Sequence, residues 1–142
     1  MLFAKRERQI RRLLLVEDEP LVAFDNEHLL KEAGYEIVAT VDNLEAAREV
    51  IESQDLDLVL TDIRLNGDGD GTGVARIAKD RGVPVLFVTA HGDVDHRGLA
   101  LGCLSKPYSD KVLKGALDAL DSCLQGRKLK KLPPQLTLYE EC

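Results

Sequence analysis

The sequence predicts an α/β fold, a doubly wound five-stranded parallel sheet with helices on both faces. Short, continuous apolar runs alternate with segments whose apolar residues recur at helical spacing, which indicates strand–helix–strand units. The runs lack the in–out alternation of a half-solvated strand, so both faces of the sheet are expected to be covered. At 142 residues the chain is long enough for one such domain and too short for two.

Five apolar runs are the predicted strands. They cover residues 13–16, 37–39, 56–61, 83–89 and 103–104. Pro84 falls near the start of the fourth run, where the missing N–H costs no ladder hydrogen bond. Because strand crossovers in one sheet are right-handed, few topologies remain for a chain of this pattern.

The predicted helices carry start and stop signals at their ends. Pro20 begins the first helix and Gly34 ends it. Asn43 is the predicted N-cap of the second helix, and Ser109 is that of the fifth. The third and fourth helices are predicted around residues 74–78 and over residues 94–101.

Two basic segments flank the predicted domain, although the net charge is −6. We divide the chain into an N-terminal arm (1–11), the domain (12–124) and a C-terminal tail (125–142), in which Pro133 and Pro134 exclude a helix. Solvated termini explain the basic ends better than nucleic-acid binding does, because no recognition motif accompanies them. We therefore expect no sequence-specific nucleic-acid partner.

We expect a cytoplasmic protein, because neither a membrane span nor a signal peptide is evident in the sequence. No apolar run reaches the roughly 20 residues of a membrane-spanning helix, and the basic N-terminus is not followed by the apolar stretch of a signal peptide. The three cysteines, Cys103, Cys123 and Cys142, form no paired motif. We expect them to be reduced thiols, and we expect no membrane association.

Polar groups, from side chains and in one case from the backbone N–H of Ala90, lie at the ends of four of the predicted strands. They are Glu17, Asp18 and Glu19; Asp62; Thr89 and Ala90; and Ser105 and Lys106. The carboxyl ends of the strands form the ligand-binding edge of a doubly wound sheet, so these groups should meet there. Clustered carboxylates attract a cation, and oxygen ligands with an open face suit Mg²⁺.

Such a cluster can accept and hold a phosphoryl group. A carboxylate such as Asp62 can act as a nucleophile and form an acyl phosphate. Mg²⁺, the ammonium of Lys106, the hydroxyl of Thr89 and the backbone N–H of Ala90 could then stabilise the equatorial oxygens.

Four motifs in order resemble the response-regulator receiver domain of two-component phosphorelays. They are LLLVEDEP, LVLTDIRL, the pair Thr89–Ala90 and the triplet Lys106–Pro107–Tyr108, and the resemblance covers residues 12–124. It implies strand order 2-1-3-4-5 and a protein that acts as a signal rather than as an enzyme, catalysing at most its own phosphorylation.

The resemblance also implies the roles of the site residues. Asp62 would be the phosphoacceptor. Glu17, Asp18, Asp62 and the Arg64 carbonyl would hold Mg²⁺, while Thr89, Ala90 and Lys106 would bind the phosphoryl group. A histidine kinase or histidine phosphotransfer protein would supply phosphate. No output domain is expected after the receiver. We therefore expect a single-domain regulator that signals to a separate protein target or passes the phosphate on.

Two departures from the family pattern affect the expected readout. The loop after Asp62 is longer and richer in glycine than is usual for the family. Cys103 stands where a switch tyrosine or phenylalanine is usual, so no large ring is expected to swing inward there. Cys103 and Tyr108 are the candidate switch residues, and phosphorylation is expected to order or displace the glycine-weakened helix over 94–101.

Three alternative functions are compatible with parts of the sequence. Asn66–Gly71 matches half of an EF-hand calcium loop, but Ile77 stands where a bidentate glutamate is needed. A haloacid-dehalogenase-type phosphatase would need an acid two residues after the nucleophile, where this chain has Arg64. A pseudo-receiver that only binds partners is the third alternative, and the retained site residues argue against it.

Overall fold

The computed structural model describes residues 8–65, 70–90, 98–127 and 131–139. Within these ranges, strands and helices alternate as the sequence predicts. The elements are β1 (Arg12–Val16), α1 (Pro20–Glu32), β2 (Glu36–Val41), α2 (Leu44–Ser53), β3 (Leu58–Asp62), α3 (Gly71–Asp80), β4 (Val85–Thr89), β5 (Gly102–Ser105), α4 (Asp110–Leu124) and β6 (Leu136–Leu138).

The strands of the described residues form one sheet in the order β2-β1-β3-β4-β5-β6. Neighbouring strands from β2 to β5 are parallel, and β6 alone runs antiparallel to β5. The predicted order 2-1-3-4-5 is therefore confirmed, with one strand added at the β5 edge. Because the order reverses direction at β1, a crevice opens where β1 and β3 end, as in other doubly wound sheets.

Two apolar layers cover the sheet, one on each face. On one face, α1 and α4 bury leucines such as Leu30, Leu113 and Leu117 against the sheet. On the other, α2 and α3 bury Ile51 and Val74. Every residue of β3 and β4 is buried, which explains their unbroken apolar runs.

The helix signals read from the sequence are confirmed in three of the described helices. Pro20 occupies the first turn of α1, and Gly34, just beyond its end, has φ +98°. The Asn43 side chain accepts a hydrogen bond from Ala46 N at 2.9 Å and begins α2. Ser109 Oγ accepts one from Val112 N at 3.2 Å and begins α4. Each cap satisfies a backbone donor that the helix itself leaves open.

The prediction of a helix over residues 94–101 is wrong for residues 98–101, the part of it that the structure describes. Residues 94–97 lie outside the described ranges. Residues 98–101 form a turn and a bend, with Gly98 at φ +85° and Leu101 N bonded to Val85 O at 2.8 Å. Leu101 is thus already aligned with β4, which a helical residue could not be.

The C-terminal segment supplies a strand that the sequence reading assigned to a tail. β6 pairs Gly102 with Leu138 and Leu104 with Leu136, and the Leu136 side chain is only 6% exposed. Gly102 allows this pairing, because a Cβ there would overlap the Thr137 carbonyl oxygen. The prolines do exclude a helix, but they do not prevent the chain beyond them from closing the sheet edge.

A buried carboxylate on α4 fixes the start of the described chain. Asp121 is 6% exposed, and its Oδ1 accepts hydrogen bonds from Gln9 N at 2.7 Å and Ile10 N at 2.8 Å. Ile10 is fully buried beside it. The Arg8 side chain also donates to Ala33 O at 2.8 Å, so the arm is packed against the domain from residue 8, the first that the structure describes.

The cysteines do not all match the expectation of reduced thiols. Cys103 is free and buried, whereas Cys123 takes part in a disulfide.

In the described parts of the chain, no helix combines the length and apolar character needed to span a membrane.

Candidate phosphoacceptor site

Three charged side chains meet where β1, β3 and β5 end. Glu17 follows β1, Asp62 is the last residue of β3 and Lys106 follows β5. Lys106 Nζ lies 2.8 Å from Glu17 Oε1 and 3.0 Å from Asp62 Oδ1. The backbone N–H of Lys106 donates to Thr89 O at 2.8 Å, which ties this residue to the end of β4. Parallel register brings together groups that are 45 and 44 residues apart in sequence.

Burial and crowding set the charge state of the two carboxyl groups. Burial and a hydrogen bond with Glu17 raise the pKa of Asp62 to about 8. Burial also raises the pKa of Glu17, but hydrogen bonds with Asp62 and Lys106 outweigh it and leave that pKa below its ordinary value. Without a bound metal ion, burial and crowding therefore favour one proton shared between Asp62 and Glu17 at pH values below about 8, and Lys106 balances the remaining charge.

The same carboxyl groups form a fitting set of metal ligands. Oxygens of Glu17, Asp18 and Asp62 lie within 4.8 Å of one another. A hard divalent cation would take the place of the shared proton, and carboxylate oxygens with room for water are the ligands that Mg²⁺ prefers. Arg64, whose carbonyl the sequence reading adds to this set, lies two residues beyond β3 with an exposed side chain.

Thr89 and Ala90 end the neighbouring strand. Thr89 is 9% exposed and pairs in register with Ser105, while Val88 pairs with Asp62. Ala90 follows directly and is exposed. The residues predicted to bind a phosphoryl group, Thr89, Ala90 and Lys106, thus lie at the carboxyl ends of β4 and β5, next to the end of β3 that carries Asp62.

The loop that follows Asp62 returns to the site at Gly71. Gly71 N donates to Ile63 O at 2.7 Å, which closes the loop at its base. The Asp70 side chain accepts from Thr72 N at 3.0 Å and caps α3. Residues 66–69 of the half EF-hand pattern lie outside the described ranges, and the Asp70 carboxylate is engaged as a helix cap.

The two candidate switch residues lie in different surroundings. Cys103 is buried in the layer of α2 and α3, where its thiol meets the side chain of Tyr139 from the C-terminal segment. Burial raises the pKa of this thiol. An aromatic ring therefore does lie beside position 103, although no signal in the sequence places it there.

Tyr108 contacts α1 on the opposite face of the sheet. Its hydroxyl accepts a hydrogen bond from Asn26 Nδ2 at 3.0 Å. Asn26 and Tyr108 line a small cavity together with Glu17 and Asp62. Sequence reasoning missed Asn26, because one polar residue on a helix is indistinguishable from a solvated one until the fold is known.

Comparison with known proteins agrees with this geometry. The family model of the response regulator receiver domain matches residues 13–118. The transcriptional regulatory protein PdtaR of Mycobacterium tuberculosis is 32% identical over 113 residues, which are 76% of this chain and 55% of that protein. The transcriptional activator protein IrlR of Burkholderia pseudomallei is 37% identical over 68% of this chain and 44% of its own length. The chain thus spans about half the length of these curated relatives.

Solved structures give the same assignment. The receiver domain of the sensor histidine kinase PA1611 from Pseudomonas aeruginosa, with a magnesium ion in its active-site cleft, matches with a TM-score of 0.68 and 28% identity, over 78% of this chain and 96% of that one. The response regulator PhyR from Brucella abortus matches with a TM-score of 0.71 and 28% identity, over 84% of this chain and 51% of that one. The chain belongs to the response regulator receiver domain family of two-component signalling proteins.

Proposed function

We propose that this protein is a single-domain response regulator that accepts a phosphoryl group on Asp62 with Mg²⁺ bound, and that it signals through protein contacts or onward phosphotransfer. The observation that carries the proposal is the position of Lys106. Its ammonium lies within hydrogen-bond distance of both Glu17 and Asp62. One positive charge therefore contacts both the proposed nucleophile and a proposed metal ligand.

In the proposed reaction, a phosphoryl group moves from an oxygen or nitrogen atom of the donor to the carboxylate of Asp62. An oxygen of Asp62 attacks phosphorus, the bond from phosphorus to the donor breaks, and the donor leaves with the bonding electron pair. Lys106 and the Thr89 hydroxyl stabilise the equatorial oxygens, and the Ala90 N–H adds a neutral donor. Asp62 must lose its shared proton before it can attack, since a carboxyl group is a poor nucleophile.

Mg²⁺ would supply charge neutralisation at the transferring phosphoryl group. Glu17, Asp18 and Asp62 would hold it, with the Arg64 carbonyl as a further ligand. Neutralising two or more carboxylates would also release Lys106 from Glu17. The ammonium would then be able to turn toward the new phosphate.

A histidine kinase or a histidine phosphotransfer protein is the proposed donor. Receiver domains interact with such proteins. Two large apolar side chains of α1, Leu21 and Phe24, are 80% and 66% exposed, and their helix begins beside the acidic cluster. We expect this apolar surface to contact the donor protein, because isolated charge pairs alone would give weak and salt-sensitive docking.

The test is phosphorylation by acetyl phosphate, followed by intact-mass measurement with and without Mg²⁺. We expect one phosphoryl group per chain, dependent on Mg²⁺ and absent in Asp62→Asn. A modification that persists in Asp62→Asn would contradict the assignment. A chain that stays unmodified under every condition, with a small donor and with kinases alike, would instead be a receiver-like interaction module.

A separate test addresses the donor surface. Leu21→Ala with Phe24→Ala should slow phosphotransfer from a cognate histidine kinase and leave the rate with acetyl phosphate unchanged. Glu32→Ala on the same helix is the matched control for an exposed position. Equal slowing with both donors would show that the substitutions disturb the site rather than docking.

A further inference from the structure

The Asn26–Tyr108 hydrogen bond crosses from α1 to the loop that carries Lys106. Asn26 Nδ2 donates to the Tyr108 hydroxyl at 3.0 Å, between groups 82 residues apart in sequence. Tyr108 is two residues beyond Lys106 and immediately before the Ser109 cap of α4. The bond is therefore a direct tie between α1 and the segment that presents the site's ammonium.

This polar pair is partly buried, at the boundary between the apolar core and the charged site. Leu15, Leu60 and Val88 line the same small cavity as Asn26 and Tyr108, and so do Glu17 and Asp62. Burial raises the pKa of the Tyr108 hydroxyl, and the charges of Lys106, Glu17 and Asp62 all act on it. Replacing both partners by a leucine and a phenylalanine would remove the hydrogen bond without leaving either polar group unpaired, a change that can be nearly neutral for stability.

The tie completes a two-point anchorage of Lys106. On one side, Lys106 N donates to Thr89 O at 2.8 Å and fixes the residue to β4. On the other, Asn26 holds Tyr108 to α1. Glu17 belongs to the loop that leads into α1, so the ammonium and its carboxylate partner are held by the same helix region.

We propose that Asn26 is a positioning residue for phosphoryl transfer, which acts through Tyr108 to hold the Lys106 ammonium at the site. The inference rests on the proposed phosphoacceptor function. It adds a requirement that stability alone does not explain, because the hydrogen bond serves the placement of Lys106 rather than the packing of the core.

The experiment compares Asn26→Leu, Tyr108→Phe and the double variant with the wild type. Pseudo-first-order rate constants for phosphorylation by acetyl phosphate are measured at saturating Mg²⁺, beside the half-saturating Mg²⁺ concentration and the melting temperature. Asn43→Ala removes a hydrogen-bonded asparagine at the α2 cap and is the control for lost stability.

We expect each single variant to lower the rate constant about threefold to tenfold, which corresponds to the free energy of one hydrogen bond. The half-saturating Mg²⁺ concentration should not change. The double variant should be no slower than the single ones, because all three lack the same bond. The double variant should also melt at a higher temperature than Tyr108→Phe. In Tyr108→Phe the Asn26 amide loses its partner, whereas in the double variant no polar group of the pair remains. A rate that recovers together with the melting temperature would overturn the proposal.

A second readout needs no phosphate. The side-chain ¹⁵Nζ resonance of a lysine is observable when its ammonium is held against carboxylates and protected from solvent exchange. We expect this signal for Lys106 in the wild type and in Asn43→Ala, and we expect it to shift or broaden in Asn26→Leu. An unchanged signal in Asn26→Leu would refute positioning by Asn26, even if the wild type accepts no phosphate and the proposed function fails.

Discussion

Gly71 lies directly against the backbone carbonyl of Asp62, so close that a Cβ at this position would overlap the carbonyl oxygen. The two residues bracket the long loop, and Gly71 N closes it by bonding Ile63 O. Glycine is required here by close approach rather than by an unusual φ, because a side chain would have to push against backbone that cannot rotate away.

The first prediction is that Gly71→Ala impairs the site. The added methyl group should displace the end of β3, move Asp62 relative to Lys106, and lower both the melting temperature and the rate of phosphorylation by acetyl phosphate. Gly73→Ala, in the same helix, would meet only the Leu44 side chain at 3.3 Å and is the matched control. Equal rates in the two variants would show that the loop absorbs the methyl group without disturbing the site.

The second prediction concerns pH and Mg²⁺. The pKa of Asp62 rises from 3.8 to about 8 on folding, so the folded chain binds this proton more tightly than the unfolded chain does. The free energy of unfolding should therefore fall as pH rises from about 4 to about 8 without metal. Bound Mg²⁺ would displace this proton, so its stabilising effect should be larger at pH 8 than at pH 6.

Denaturant titrations across this pH range, with and without Mg²⁺, measure both effects. Asp62→Asn should remove the downward slope that this group contributes, while Asp118→Asn, exposed on α4, should leave it in place. A slope that persists in Asp62→Asn would assign the titration to another group.

The third prediction is that Asp18→Asn removes most of the melting-temperature increase that Mg²⁺ produces. Asp18 is one of the three carboxylates whose oxygens cluster, and a ligand that binds only the folded state raises stability according to its affinity. Asp42→Asn is the control, an exposed carboxylate near Asp18 but outside the cluster. An undiminished Mg²⁺ effect in Asp18→Asn would place the ion elsewhere.

The fourth prediction concerns the buried Asp121. Asp121→Ala should leave the backbone donors of Gln9 and Ile10 without an acceptor and destabilise the fold by about 1–3 kcal/mol. Asp121→Asn keeps an oxygen acceptor and should cost less. Urea titration measures both, and a cost for Asp121→Asn as large as that for Asp121→Ala would show that the charge, not the acceptor, matters.

The fifth prediction concerns β6. Gly102→Val should displace the strand, because its side chain would occupy the position of the Thr137 carbonyl. The open edge of β5 should then lower the melting temperature and promote concentration-dependent association, detected by light scattering. Thr137→Ser, an exposed and conservative change in β6, should behave as the wild type. A fully monomeric and equally stable Gly102→Val chain would mean that β6 does not protect the edge.

We still predict that phosphorylation changes the conformation of the segment over residues 94–101, although part of this segment is not the helix expected from the sequence. Residues 98–101 form a turn instead of a helix, and the remainder lies outside the described ranges. Hydrogen exchange with and without beryllofluoride should show protection changes over residues 92–104. Changes confined to the neighbourhood of Asp62 would contradict a readout through this segment.

The sequence by itself determined the helix caps and the edge of the sheet at which Asp62 and Lys106 meet, whereas the strand order followed from the resemblance of its motifs to the receiver family. These features depend on local signals, such as the apolar run before Asp62 or the caps Asn43 and Ser109, and parallel strands bring their carboxyl ends to one edge. Only the tertiary structure decided the Asn26–Tyr108 bond, the ring of Tyr139 beside Cys103, the contact of Gly71 with Asp62 and the pairing of β6 with β5. Three of these contacts join residues that are distant in sequence, through side-chain packing or edge pairing, and the contact of Gly71 with Asp62 is a close backbone approach across nine residues. None of the four contacts leaves a periodic pattern in the sequence.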